Sequence, residues 1–148
     1  MKKGFDRMDQ PKKMLWWQIT EAVSAIQKRL KSKELNDADK MLEHKKLDTI
    51  NHIVLLLGEL SNLSEKSKLR YEMWINKSTG KNSSKQAAKY GITTDSLRSR
   101  IIYFDNKLRV LVGDQTIASI VSATSAEQLV AIMNQFIQNA KERKDVFM

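Results

Sequence analysis

The chain contains no cysteine, which excludes disulfides, thiolate nucleophiles, thiolate zinc sites and iron–sulfur clusters. One proline and five glycines among 148 residues leave long stretches in which nothing interrupts a helix. The longest aliphatic run, Ile53 to Leu57, falls far short of the ~20 residues a membrane helix requires. The opening MKKGFDRMDQPKKML begins with a basic cluster but lacks the apolar stretch of a secretory signal. A cytoplasmic protein with no membrane partner is therefore expected. The length suits one domain, or one small domain with a helical extension, and suffices to bury a core without metal or disulfide support.

What is present in excess is positive charge. The formal net charge is +9, and its distribution is uneven. Residues 1–63 carry 12 basic and 9 acidic side chains, residues 64–112 carry 11 and 4, and residues 113–148 carry 3 and 4. The middle segment thus holds +7, while the last is slightly acidic. A local basic concentration attracts a polyphosphate through counterion release, with steep salt dependence. A solvated basic face with no nucleic-acid role is the plainer alternative.

Helical periodicity runs through most of the chain, and no alternating strand pattern or internal repeat appears. Leu15, Ile19, Ala22, Ile26 and Leu30 form one stripe of a helix expected from about Pro11 to Lys33. Asn36 to Asp39 looks like an N-cap with acids in the first turn, opening a helix to about Leu63. That helix has two adjoining stripes: Leu47, Ile50, Val54 and Leu57, then Ile53, Leu56, Leu60 and Leu63. Its broad apolar surface must be covered by the chain itself or by a second copy. Ser64 can cap a third helix ending near Asn76, with Leu69, Met73 and Trp74 expected to face inward. Lys77 to Ser84 is the clearest loop. Asp114 to Ser122 suits either a short helix or a brief strand, and Thr124 to Glu127 fits a capping box for a last helix that frays into a charged tail.

The most informative stretch is SSKQAAKYGITTDSLRSRI, Ser83 to Ile101. It predicts two helices joined at a tight turn. Ala87 and Ala88 allow close approach, Gly91 supplies a left-handed corner, and Thr93 or Thr94 caps the second helix. Leu97, Ile101, Phe104 and Leu108 make its apolar face, and Gly113 ends it. Thr94, Asp95, Arg98, Ser99 and Arg100 occupy the other sides. This is the arrangement with which a helix-turn-helix places its second helix in a DNA groove. An ordinary helical hairpin is the plainer explanation.

KSTGKNSSKQAAKYGITTDSLRSRIIYFDNKL, about 32 residues, resembles the DNA-binding core of bacterial helix-turn-helix transcriptional regulators, and more loosely the regulators of Pap-type fimbrial operons. The shared features are a serine-lysine entry, the turn Lys89-Tyr90-Gly91, and Leu97, Arg100 and Ile101 on the second helix. Gln86 stands where many such sequences have an aliphatic residue, and the long N-terminal helical region is a further departure. The resemblance implies a sequence-reading transcriptional regulator.

The expected architecture is all-α: an N-terminal helical assembly region (1–63), a helix-turn-helix DNA-binding region (64–112), and a C-terminal helical region with a charged tail (113–148). Lys81, Ser83, Ser84 and Lys85 are candidates for phosphate contact. Thr93, Thr94, Arg98 and Ser99 are candidates for base edges, with Arg100 on the flank. Lys66, Lys68 and Arg70 can add backbone charge.

His44, Asp48 and His52 are spaced by four, a pattern that can share a metal, but no third ligand type is in view, so neither metal nor cofactor is expected. There is no phosphate-binding glycine loop and no serine–histidine–carboxylate grouping, so an enzyme is not expected. The partners expected are double-stranded DNA and a second copy of the chain, assembled as a homodimer or higher oligomer with Trp16 and Trp17 at the contact. A helical protein–protein adaptor using those tryptophans, or an RNA-binding protein, is the alternative.

Overall fold

The computed structural model describes residues 14–78 and 82–148, and the described residues are all-helical, with no strand. The helices are α1 (Leu15–Leu30), α2 (Asp37–Ser61), α3 (Glu65–Ser78), α4 (Ser83–Lys89), α5 (Thr94–Val112), α6 (Thr116–Ser122) and α7 (Ala126–Glu142). A 3-10 helix, Lys144–Phe147, closes the chain.

Capping residues set most of the helix starts. Asn36 accepts from the Asp39 N–H at 2.8 Å, and Asp37 and Asp39 complement the dipole of α2. Ser64 accepts from the Ser67 N–H at the start of α3. Ser125 caps α7, while Gln128 reaches back to the Thr124 N–H at 2.7 Å. The expected capping box of Thr124 and Glu127 is therefore not formed: the cap lies one residue later, and the Gln128 side chain takes the N–H of the residue before it. The ambiguous segment after Gly113 is helical, with Ile117 and Ile120 buried.

α5 runs through the interior of the fold and touches α1, α3, α4 and α7. Its buried side carries Leu97, Ile101, Phe104 and Leu108, as the periodicity predicts, and continues through Leu111 and Val112. α2 lies against α1, α3, α6, α7 and the 3-10 helix. Much of its broad apolar surface is thus covered by its own chain, with Ile50, Ile53 and Leu57 fully enclosed. Glu43 and Lys46 are also enclosed on α2, 2.8 Å apart. Arg29 of α1 reaches Glu43 at 3.2 Å, and the Lys46 ammonium donates to the Val121 carbonyl at 2.7 Å. Each buried charge therefore has partners, as burial requires.

Two expectations are corrected. Leu69 faces outward, 41% exposed, because α3 turns Ser67 and Tyr71 inward beside the expected Met73 and Trp74. Those polar groups tolerate the interior through their hydrogen bonds. Ser67 donates to the Phe147 carbonyl at 2.9 Å, and Tyr71 to the Val54 carbonyl at 3.2 Å. Tyr71 also fills the space beside Gly58, where a Cβ would come within 3.0 Å of its ring.

The tail, expected to fray, instead returns to the core. Phe147 is fully buried, edge-on to Phe104 at a centroid distance of 6.5 Å. The charged residues before it, Lys141 to Asp145, stay exposed.

Candidate nucleic-acid interface

The turn between α4 and α5 is built as the sequence predicts, except that Ala88, expected to allow close approach together with Ala87, is exposed. Gly91 adopts φ +68, the left-handed conformation. The Ile92 N–H then closes on the Ala87 carbonyl at 3.0 Å. Ala87 is buried against the rest of the fold, and Thr93 caps α5 by accepting from the Ser96 N–H at 3.1 Å. That cap occupies the oxygen of Thr93, leaving the neighbouring Thr94 hydroxyl as the freer of the two.

Gln86 has a specific partner. Its amide oxygen accepts from Asn76 Nδ2 at 2.9 Å, joining α4 to α3 with a hydrogen bond. A second tie lies lower on the same pair of helices. The Tyr90 hydroxyl donates to Glu72, which also pairs with Lys89 at 3.2 Å. Burial, then the hydrogen bond to Glu72, pushes the Tyr90 hydroxyl up to about 12. The same bond is the main cause holding the Glu72 carboxyl below the usual carboxylate range.

Asp105 fixes α5 from its other flank. It is buried in the apolar side of the helix and accepts three hydrogen bonds. The Leu15 N–H donates at 2.8 Å, the Trp16 N–H at 3.1 Å, and Trp74 Nε1 at 2.8 Å. Met14 offers no side-chain cap to α1, so this distant carboxylate satisfies the first free N–H groups and complements the helix dipole.

With α5 held by α3, α4 and α1, its remaining side faces solvent. Thr93, Thr94, Arg98, Ser99 and Arg100 are all exposed, as are Ser84 and Lys85 at the start of α4, with Ser83 half-buried. A cleft of about 160 Å³ brings Ser83, Thr94 and Arg98 together with Trp16 and Lys77. Arg98 pairs loosely with exposed Asp95 at 3.7 Å, a contact weak enough to exchange for another anion. Asn82 takes up the Lys85 N–H at 3.0 Å, so part of the donor set expected at the start of α4 is already used. Lys81 lies outside the described residues.

The exposed side extends further than the sequence stretch suggested. Ile102, Tyr103 and Asn106 continue it along α5. Their three- and four-residue spacing from Ser99 and Arg100 was the available signal, but an isoleucine and a tyrosine read as core residues. A helix of this diameter, about 10–12 Å, fits the major groove at about 12 Å wide.

His44, Asp48 and His52 are exposed along α2. Among the described residues, no group of three or more histidine, aspartate or glutamate side chains could hold a metal ion. No described helix is long and apolar enough to cross a membrane. Trp16 and Trp17 stack at 4.7 Å, with Trp17 47% exposed and Trp16 half-buried. No protein-family model, curated protein or solved structure matches the chain.

Proposed function

We propose that this protein is a non-enzymatic, cytoplasmic DNA-binding transcriptional regulator that inserts the outer side of α5 into the major groove of duplex DNA. The observation that carries this reading is the exposed, largely uncommitted set Thr94, Arg98, Ser99 and Arg100 on a helix anchored from three sides. The chain segment that contains it holds most of the excess positive charge. A rigid mount matters because base recognition depends on side chains meeting base edges within hydrogen-bond distance.

The roles divide by position. Arg98 can bond guanine in two places, Thr94 and Ser99 offer hydroxyls, and Asn106 can pair with adenine. Ser83, Ser84 and Lys85 face a phosphate strand at the start of α4. Selection of bound duplexes from a random pool tests sequence reading directly. Arg98→Ala should then relax the selected sequence at one position, whereas Lys85→Ala should weaken all duplexes alike. Equal loss on every duplex from both variants would remove the reading role from α5.

The two-fold symmetry of many DNA targets favours a homodimer or higher oligomer. Trp17, exposed and stacked on Trp16, is the natural contact. The same pair supports the rival reading, a helical adaptor in which the tryptophans capture another protein and the basic side of α5 is merely solvated. Trp17→Ala separates them. A regulator loses self-association but keeps intrinsic duplex affinity, whereas an adaptor binds no duplex with or without the change.

A further inference from the structure

α5 has two flanks, with Arg98 on one and Arg100 on the other. At 100° per residue, Arg100, Tyr103 and Lys107 line up along the flank nearest α3, away from Arg98. α3 presents Lys66 and Arg70, also four apart, to the same place. The Arg70 guanidinium sits 5.4 Å from the centroid of the Tyr103 ring, and the Lys107 ammonium 4.7 Å from it. Tyr103 itself is 51% exposed. Two cations thus converge on one accessible phenol, with a third, Lys66, close enough to act on it electrostatically.

Among the described residues, no carboxylate forms an ion pair with Lys66, Arg70 or Lys107. Of the four carboxylates in residues 64–112, Glu72 is engaged with Tyr90 and Lys89, Asp105 with α1 and Trp74, and Asp95 with Arg98, while exposed Glu65 makes no ion pair with the three cations. Like charges held together without a counterion are unfavourable in the free protein, and that repulsion is relieved when an anion arrives. Cation–π contacts order the arginine and lysine against the ring, which lowers the entropy lost on binding.

We propose that Lys66, Arg70, Tyr103 and Lys107 form a phosphodiester-binding rail that grips one DNA strand at the edge of the groove α5 enters. The inference rests on the DNA-binding reading above and deepens it. A helix lying in the major groove is bordered by a sugar-phosphate strand on each side. The start of α4 meets one strand, and this rail meets the other. The cations supply charge, and the Tyr103 hydroxyl donates to a phosphate oxygen. Such contacts fix register without reading sequence.

The test uses the full chain with mixed-sequence duplex. The double substitution Arg70→Ala, Lys107→Ala is expected to weaken every duplex about ten- to a hundredfold at ~50 mM salt and to make the log–log salt slope shallower by about two. Circular dichroism and thermal unfolding of the variant should match the parent, since both side chains act at the surface. A second measurement needs no substitution. The Lys107 ammonium, through its hydrogen bond and charge, holds the Tyr103 hydroxyl below its ordinary value, with Arg70 and Lys66 adding to the effect. Burial raises Tyr71 and Tyr90 instead. The first tyrosine to ionise in an absorbance titration is therefore Tyr103, and bound duplex should move that transition upward because phosphate opposes the phenolate.

Unchanged affinity and slope in the double variant, together with a tyrosine transition that duplex does not move, overturn the rail while leaving DNA binding by Arg98 and Lys85 intact. Absence of any duplex binding by the parent chain overturns the rail together with the reading it rests on.

Discussion

The Asp105 carboxylate accepts a hydrogen bond from the backbone N–H of Leu15 at 2.8 Å, across 90 positions of sequence. A second oxygen takes the Trp16 N–H and Trp74 Nε1. One side chain therefore caps α1, anchors α3 and fixes the rotation of α5. Which residues of α5 face outward follows from this contact as much as from the apolar stripe.

Asp105→Asn tests that role. Asparagine keeps one acceptor oxygen but turns an NH2 group toward an existing donor, and it removes the charge that complements the helix dipole. The expected cost is about 2–4 kcal/mol, read as a melting temperature lower by about 10 °C. A change within about 1 °C would show that α1 is capped by something else.

Phe147→Ala should also destabilise strongly, by about 3–5 kcal/mol in denaturant titration. The ring is fully buried, and its own carbonyl accepts from Ser64 and Ser67 at 2.8 and 2.9 Å. Stability equal to the parent would mean the terminal 3-10 helix does not dock in solution.

The Tyr90–Glu72 tie makes a pH-dependent contribution. Because the folded state raises the Tyr90 hydroxyl to about 12 from an ordinary 10, its share of stability is complete below pH 10 and is lost as pH rises through 12. Glu72, held below the usual carboxylate range, contributes above its ordinary value and loses that share as pH falls through its folded one. Tyr90→Phe should cost about 1 kcal/mol or less near neutrality, and the gap from the parent should close in strong alkali. A gap independent of pH would assign the effect to packing rather than to the hydrogen bond.

The corner at Gly91, the Thr93 cap, the apolar side of α5 and the stop at Gly113 were all legible in the sequence, because each depends on local backbone geometry or helical spacing. Asp105 was not legible. An aspartate beside Phe104 on a helix looks solvent-facing, and its three donors come from residues far away in the chain. Leu69, an apolar residue expected inside, faces solvent for the converse reason. Hydrophobicity favoured it, while Ser67 and Tyr71 reached inward to carbonyls that no local pattern announces. Phe147 follows a run of five charged residues, Lys141 to Asp145, and composition alone reads such a run as a solvated end. The Tyr103 flank is not legible in the sequence, because a tyrosine on a helix reads as a core residue and Arg70 and Lys66 reach it from another helix.

The most direct test of the central claim, that the outer side of α5 enters duplex DNA, is the equilibrium affinity of the full chain for duplex as a function of salt. The prediction is clear binding at ~50 mM that falls linearly on a log–log plot with a slope steeper than about −4, as expected for at least five phosphate contacts. No binding at ~50 mM, or an affinity that salt leaves unchanged, would contradict it.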